Sequence, residues 1–317
     1  MRNTLRAIAI AAALTGPAVA ADLLPASGPL PKVTMERLLI VDAARQGPRV
    51  VAVGDRGYIA YTDDNGANWK RAKAPAAPLL TAVDFLDAKT GLAVGHDAII
   101  LATADGGETW EKRFSAESEQ MPLLDVKFVD RDHAFAVGAY GSYYESADGG
   151  RTWNPRKVIA DDKHLNAIVA LEGGRLVILG EAGTLLVSSD AAKSWSPVPS
   201  PYKGSLFGAV VAEDGAVVAF GMRGRIFRST DKGQSWKAVE NASVATLMGG
   251  TRLPDGAIVL AGAGGTVLVS RDGGLTFGPL ATGSTKAFAK PLLGAPNALM
   301  LLGEAGARDV PLPTTKK

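Results

Sequence analysis

The chain has 317 residues, no cysteine and a formal net charge of +2 at pH 7. The lack of cysteine excludes disulfides, thiolate metal sites and a cysteine nucleophile. The near-neutral, mixed charge provides no dense basic face, so no nucleic-acid partner is predicted. His96, His133 and His164 are scattered without the spacing of metal ligands, so the sequence predicts no metal and no cofactor.

The first 21 residues have the pattern of a secretory signal peptide. Arg2 and Arg6 give a positive start, residues 7–14 form a short apolar run, and small residues at 18–20 form a cleavage site. The apolar run is far shorter than the roughly 20 residues that a membrane-spanning helix needs. We therefore expect an exported, periplasmic protein without an integral membrane span, in which residues 22–317 form a single domain.

One motif, S/T-x-D-x-G-x-T/S-W, then recurs six times. All five tryptophans of the chain end a copy, and Phe277 ends the sixth. The aspartates recur 41, 43, 42, 41 and 41 residues apart, which indicates a stacked array or a closed ring of small sheets. These aspartates are Asp64, Asp105, Asp148, Asp190, Asp231 and Asp272.

Each repeat contains four short runs that favour strands. In the second repeat these are residues 79–86, 91–95, 99–103 and 109–113, each rich in apolar or β-branched residues and bounded by Gly or Asp turns. Four antiparallel strands per 42 residues are typical of a β-propeller blade.

A second repeated motif gives an independent count of the blades. A G-x-x-G turn, looser in its second copy, follows the second strand of each repeat and occurs seven times, which favours seven blades over six blades and a tail. Residues 286–313 then supply about three strands of the last blade. We expect residues 23–33 to pair with this C-terminal segment as its missing outer strand, and so to close the ring. The predicted fold is all-β, a seven-bladed propeller closed by an N-terminal strand.

The aspartate motif is predicted to be structural. Its carboxylate suits a tight turn in which it accepts hydrogen bonds from backbone N–H groups, and the glycine two residues later can adopt φ > 0. The tryptophan is expected to pack between neighbouring sheets. The alternative, that the aspartates are catalytic or metal-binding, is weak because six copies around a ring cannot converge on one substrate.

The motif is that of the Asp-box, or BNR repeat. Its combination with A-V-G turns, as at residues 52–54, 93–95 and 136–138, resembles the photosystem II stability and assembly factor family over roughly residues 35–306. The resemblance implies a non-catalytic, exported propeller, at most peripheral at the membrane, that binds a membrane-associated protein or complex. It further implies a role in the assembly or stability of a membrane complex, photosystem II in the photosynthetic members. A monomer is expected.

The alternative function is that of a glycoside hydrolase of the sialidase type. That chemistry needs an arginine cluster, a tyrosine nucleophile with a glutamate partner, and an acid. The sequence lacks the accompanying Arg-Ile-Pro signature. Asp84 and Asp125, near Lys127 on predicted inner strands, could form a paired-acid site, but a water-filled channel wall is the simpler interpretation. We expect small or apolar residues and Asn166 at the matching positions of the other blades.

The G-x-x-G turns hold the candidate partner-binding residues. Each turn has two variable residues in a fixed frame, and all seven turns are expected on one rim of the ring. Repeat scaffolds present binding surfaces in this way. Ordinary solvated turn residues are the alternative for any single position. The predicted partner-binding residues are Arg56, His96, Tyr140, Glu181 and Arg223.

Overall fold

Seven antiparallel sheets stand side by side in a ring in the computed structural model, which describes residues 28–30, 32–75, 77–118 and 120–312. The first strand of each sheet contacts the first strand of the next sheet, and the last sheet contacts the first, so these strands surround a central channel. The predicted seven-bladed propeller is confirmed. The predicted signal peptide lies outside the described residues.

The first three blades follow a short strand and a single helical turn. These two elements are β1 (Gly28–Leu30) and α1 (Lys32–Met35). Blade 1 contains β2 (Ile40–Gln46), β3 (Arg49–Gly54), β4 (Ile59–Thr62) and β5 (Trp69–Arg71). Blade 2 contains β6 (Leu80–Phe85), β7 (Gly91–Gly95), β8 (Ile100–Thr103) and β9 (Glu111–Phe114). Blade 3 contains β10 (Leu123–Phe128), β11 (Ala134–Gly138), β12 (Tyr143–Ser146) and β13 (Asn154–Pro155).

The remaining blades repeat this arrangement. Blade 4 contains β14 (Leu165–Leu171), β15 (Arg175–Gly180), β16 (Leu185–Ser188) and β17 (Ser196–Pro197). Blade 5 contains β18 (Leu206–Val211), β19 (Val217–Gly221), β20 (Ile226–Ser229) and β21 (Lys237–Val239). Blade 6 contains β22 (Leu247–Arg252), β23 (Ile258–Gly262), β24 (Val267–Ser270) and β25 (Gly278–Pro279). Blade 7 has three strands among the described residues, β26 (Phe288–Leu293), β27 (Ala298–Gly303) and β28 (Gly306–Pro311).

The hydrophobic core is divided into seven clusters, one at each seam between adjacent blades. The second strands contribute more buried apolar residues than the first, third or fourth strands do, because they are apolar and buried on both faces. The motif aromatic of each blade packs against the preceding blade. Trp110 of blade 2, for example, lies among Val51 and Val53 of blade 1. The repeat period therefore produces seven similar interfaces, and no single interface holds the whole core.

The N-terminal strand does not close the ring, so that part of the prediction is wrong. Strand β1 pairs antiparallel with β5 and becomes a fifth, outermost strand of blade 1, with Leu30 opposite Trp69. The outer edges of blades 1 and 7 both offer unpaired backbone groups, and the sequence does not show which edge the N-terminal segment reaches. Residues 23–27 of the predicted closing strand lie outside the described residues.

Side-chain packing between blades 7 and 1 closes the ring instead. Met300 and Leu302 of blade 7 share one cluster with Ile40 and Trp69 of blade 1. The segment that follows α1 adds a backbone hydrogen bond, in which Gly306 N–H donates to the Leu38 carbonyl over 2.9 Å. The interface that joins the two ends is therefore built like the other six seams.

Candidate partner-binding face

The two ends of the ring differ in the chain segments that form them. At one end, the G-x-x-G turns meet the linkers between blades: Gly141 N–H donates to the Lys163 carbonyl over 2.8 Å, and Ala98 N–H to the Met121 carbonyl over 2.8 Å. We call this end the turn face. At the other end, the aspartate turns meet the hairpins that join first and second strands, as where Gly106 N–H donates to the Lys89 carbonyl over 2.9 Å. We call this end the Asp-box face.

The frame of the G-x-x-G turn has a steric cause. The first glycine lies so close to the start of its own inner strand that a Cβ on Gly54 would collide with the Leu39 carbonyl oxygen. The next residue uses the same oxygen, because Asp55 N–H donates to it over 3.0 Å. The second variable residue is left-handed, with φ of 54° at Arg56 and 57° at Arg223. The turn thus fixes the backbone and leaves two side chains free to vary.

All five predicted partner-binding residues belong to the turn face, but they are spread over five blades. Arg56 is exposed and forms an ion pair of 3.4 Å with Asp55. His96 and Arg223 are also exposed. Tyr140 is 57% exposed, and Glu181 is half-buried. The face therefore presents these side chains around the channel mouth, not as one cluster.

Tyr140 and Glu181 are linked through a residue that the sequence prediction missed. The ring of His164 meets the ring of Tyr140 edge-on at 4.9 Å between centroids, and its Nδ1 accepts the Tyr140 backbone N–H over 3.1 Å. The His164 backbone N–H donates to Glu181 Oε1 over 3.0 Å. One carboxylate oxygen of Glu181 is thus engaged in a hydrogen bond within the protein. Spacing did not reveal His164, because it lies in a linker outside the repeated motif.

A shallow cavity beside Tyr140 was also not predicted. It has a volume of about 300 Å³, and its lining includes Tyr143, Arg156, Ile159 and Asp161. The guanidinium of Arg156 is already engaged within the protein, because it donates to the Ala192 carbonyl of the next blade and lies over the Tyr143 ring. The cavity extends the exposed aromatic surface of Tyr140 down the outer side of blade 3.

The six motif aspartates accept hydrogen bonds from their own turns. Asp105 is representative: Oδ1 accepts the backbone N–H groups of Glu108 and Thr109 over 3.0 and 2.9 Å, and Oδ2 accepts the Thr109 hydroxyl. The Thr103 hydroxyl donates to Oδ1 over 2.8 Å and accepts the Gly107 N–H over 3.0 Å. These carboxylates have little acceptor capacity left for a substrate.

The glycine of this motif is needed for two reasons. Gly107 has φ of 93°, and a Cβ there would come within 2.9 Å of Val51 in the preceding blade. Blade 4 is the exception, with Ala192 at φ 66°. There the indole N–H of Trp195 makes no hydrogen bond, whereas Trp110 donates to the Gly107 carbonyl over 3.0 Å. In blade 4 the equivalent carbonyl, that of Ala192, accepts a hydrogen bond from the Arg156 guanidinium instead.

The channel wall carries more charge than the sequence indicated. Lys127 Nζ lies 2.6 Å from Asp84 Oδ1, and Asp84 Oδ2 accepts the Phe128 N–H over 2.9 Å. A second pair spans the closing seam, with Lys290 Nζ 2.9 Å from Asp42 Oδ1. The expectation that the other blades offer only Asn166 and small or apolar residues here is therefore wrong. The cause is that blades 1 and 7 become neighbours only when the ring closes.

Asp42, Asp84 and Asp125 each connect one blade to the next. Each accepts a backbone N–H from the following inner strand, as Asp125 does from Ile168 over 2.9 Å. Burial raises the pKa of Asp125 to about 7, although the hydrogen bond from Ile168 acts in the opposite direction. Burial acts to lower the pKa of Lys290, but the nearby charge of Asp42 outweighs burial and raises that pKa. These groups hold neighbouring blades in register around the channel.

No group of three or more His, Asp or Glu residues within ranges 28–30, 32–75, 77–118 and 120–312 is arranged to hold a metal ion. Over the same ranges, no helix has the length and apolar character needed to cross a membrane.

Fold and turns together define a seven-bladed propeller of the Asp-box class. The family model described as photosynthesis system II assembly factor YCF48 matches residues 62–122 and 115–274, more than half of the sequence. The chain belongs to this family. Among curated proteins, no sequence matches it.

Solved structures agree with the fold. A structure described as YCF48 bound to D1 peptide is 22% identical, with a TM-score of 0.68 over 90% of this chain and 96% of that chain. YCF48 from Cyanidioschyzon merolae is 16% identical, with a TM-score of 0.69 over 92% of this chain and 100% of that chain. A GH74 xyloglucanase from Xanthomonas campestris is 15% identical, with a TM-score of 0.67 over 86% of this chain but 52% of that chain. At these identities the likeness concerns the fold alone.

Proposed function

We propose that this protein is an exported, non-catalytic propeller that binds a membrane-associated protein through its turn face and assists the assembly or stability of a membrane complex. The family match over residues 62–274 is the observation that carries this proposal. The structure described as YCF48 bound to D1 peptide supports a partner that presents a peptide segment. The signal-peptide pattern of the first 21 residues supports a periplasmic location, at most peripheral at the membrane.

The channel supports the non-catalytic part of the proposal. A glycosidase needs one carboxylic acid to protonate the leaving group and a second group to attack or to activate water. Asp84 is held by Lys127 and by the Phe128 N–H, and Asp125 by the Val126 and Ile168 N–H groups. These contacts give both carboxylates a role in joining blades.

Capture of the partner from membranes tests the proposal. Tagged protein is crosslinked in the envelope fraction, and the recovered proteins are identified by mass spectrometry for the wild type and for the triple variant Arg56→Ala, Tyr140→Ala, Arg223→Ala. Surface substitutions usually change stability by less than about 0.5 kcal/mol, so folding should be retained. Recovery of one membrane-associated protein should fall at least tenfold if the three side chains contribute more than about 1.4 kcal/mol together.

A second triple variant controls for the truncation of three exposed side chains. Glu111→Ala, Lys112→Ala and Arg113→Ala lie on the exposed outer strand β9 of blade 2 and should leave recovery unchanged. Equal recovery by the turn-face variant would place the interface elsewhere. Hydrolysis of a sialoside or glucan by the wild type, lost in Asp84→Asn, would show that the protein is a glycosidase.

A further inference from the structure

The turn face carries most of the exposed apolar side chains. Among the described residues, six large hydrophobic side chains are exposed, and the single one on the Asp-box face is Leu275 in the sixth aspartate turn. Contiguous exposed apolar surface marks interaction sites more often than isolated residues do. The five on the turn face are Leu39, Tyr140, Met222, Val244 and Met248.

Three of these five belong to neighbouring chain segments at the channel mouth, where blade 5 meets blade 6. Met222 begins the G-x-x-G turn of blade 5 and is 37% exposed. Val244 is 84% exposed, and its linker passes so close to that turn that a Cβ on Gly224 would lie 3.2 Å from the Val244 Cα. Met248, 42% exposed, is the second residue of β22, and β22 contacts the same turn. We call these three residues the apolar sector.

Two arginines without partners flank the apolar sector. Arg223 follows Met222, and Arg225 follows the turn; both are exposed. Within residues 28–30, 32–75, 77–118 and 120–312, neither makes a side-chain hydrogen bond or an ion pair. Arg56, the equivalent of Arg223 in blade 1, is paired with Asp55. Glu240 is opposite Arg225 in the extended register of β20 and β21, yet the two form no ion pair.

The turn of blade 5 is therefore unlike the others. The position of Arg225 holds buried Tyr58 in blade 1 and buried Ile99 in blade 2. Blade 5 instead combines an exposed methionine with two free guanidinium groups. Guanidinium groups pair with carboxylates through two parallel hydrogen bonds, and methionine adapts its shape to varied apolar groups.

We propose that the apolar sector, together with Arg223 and Arg225, binds an extended segment of the partner protein in which an apolar side chain lies next to an acidic one. This inference rests on the proposed function and specifies the chemistry of the partner. Charge complementarity selects the segment, because an acidic residue compensates the two free cations while its apolar neighbour covers Met222, Val244 and Met248. A bare apolar segment or a basic segment does not fit.

Selection from a displayed library of random 12-residue peptides tests the inference, with the full chain immobilised. The wild type should enrich peptides in which an apolar residue adjoins Asp or Glu. The triple variant Met222→Ser, Val244→Ser, Met248→Ser should lose the preference for an apolar residue. The double variant Arg223→Gln, Arg225→Gln should lose the preference for Asp or Glu. Each should bind a peptide selected by the wild type at least tenfold more weakly. Leu275→Ser, an exposed apolar residue on the Asp-box face, should select like the wild type.

Several results would overturn the inference. Enrichment of peptides without the apolar–acidic pair would do so, as would unchanged selection by both variants. Selection could also be lost in the variant Arg56→Ala, Tyr140→Ala and kept in the triple serine and double glutamine variants. The turn face would then bind its partner, but not at the apolar sector. Failure of the proposed function is detected separately, by the absence of any membrane-associated protein in the capture experiment.

Discussion

Each aspartate turn depends on a buried hydroxyl as much as on its carboxylate. Ser146 is 1% exposed and donates to Asp148 Oδ1 over 2.8 Å. It also accepts the Gly150 N–H over 2.8 Å. The glycine N–H is buried and has no access to water, so it depends on this acceptor. The hydroxyl two residues before the aspartate therefore connects the end of the third strand to the turn.

We expect Ser146→Ala to destabilise the protein by about 1–3 kcal/mol, because it leaves a buried N–H without an acceptor. Chemical denaturation of wild type and variant measures the difference in free energy of unfolding. Ser196→Ala, an exposed serine on β17, is the control and should change stability by less than about 0.5 kcal/mol. An equally small effect of Ser146→Ala would show that the carboxylate alone organises the turn.

Two groups of aspartates should act in separate pH ranges. The hydroxyl and backbone N–H of Thr152 lower the pKa of Asp148 to about 2, and Ser194 does the same for the pKa of Asp190. A depressed pKa gives stability that is present above the unfolded value near 4 and is lost as pH falls towards 2. The raised pKa of Asp125, about 7, has the opposite sign. Its contribution is present below about pH 4 and is lost as pH rises through about 7.

The free energy of unfolding, measured from pH 2 to 8, checks both effects. Asp148→Asn should reduce the loss of stability below pH 4 and leave the upper range unchanged. Asp125→Asn should flatten the decline between about pH 4 and 7. A wild-type profile that is flat in the upper range would show that Asp125 stays ionised, held by its two backbone hydrogen bonds.

At the scale of elements, closure depends on the seam between blades 7 and 1. Strand β1 adds three residues to the outer edge of blade 1, whereas Met300 is buried among Ile40, Trp69 and Leu292. Burial of apolar side chains, and not edge pairing, therefore carries the energy of this seam. We therefore expect the short strand to protect one outer edge without being required for closure of the ring.

We expect deletion of residues 22–31 to cost less stability than Met300→Ala, which should cost about 2–5 kcal/mol by opening a cavity. Thermal unfolding of both variants, each prepared without the leader, gives the comparison. Leu39→Ala, an exposed neighbour of the same seam, serves as the control for the point substitution. A deletion that unfolds the whole ring would restore the N-terminal strand to a closing role.

At the scale of the whole molecule, the two faces use their charges differently. On the Asp-box face, Arg49 pairs with Asp63 at 2.6 Å and with Glu108 at 2.9 Å, which ties blade 1 to blade 2. Arg228 likewise pairs with Asp214 and donates to the Gly273 carbonyl of blade 6. The turn face leaves Arg223 and Arg225 free. Arg49 and Arg228 are thus engaged in joining blades, whereas Arg223 and Arg225 stay available for a partner.

The proposed export would place this turn face in the same compartment as the exposed part of the proposed partner. We predict that the mature protein begins at Ala21 or Asp22, because the small residues before it match a cleavage site. Mass spectrometry of the protein purified from the envelope fraction measures the terminus. An Ala18→Leu, Ala20→Leu variant should accumulate unprocessed. An intact Met1 in the wild-type protein would contradict the prediction.

The sequence by itself determined the blade, the number of blades and the role of each motif position. Local chemistry is enough for this, because a turn, its glycine and its aromatic residue lie within a few positions of one another and recur at one period. The edge chosen by β1, the Asp42–Lys290 pair and the apolar sector were decided by the tertiary structure. The Asp42–Lys290 pair joins blades 7 and 1, which become neighbours only when the ring closes. Strand β1 had two outer edges open to it, and the apolar sector combines unrepeated residues of blades 5 and 6. None of the three leaves a periodic mark in the sequence.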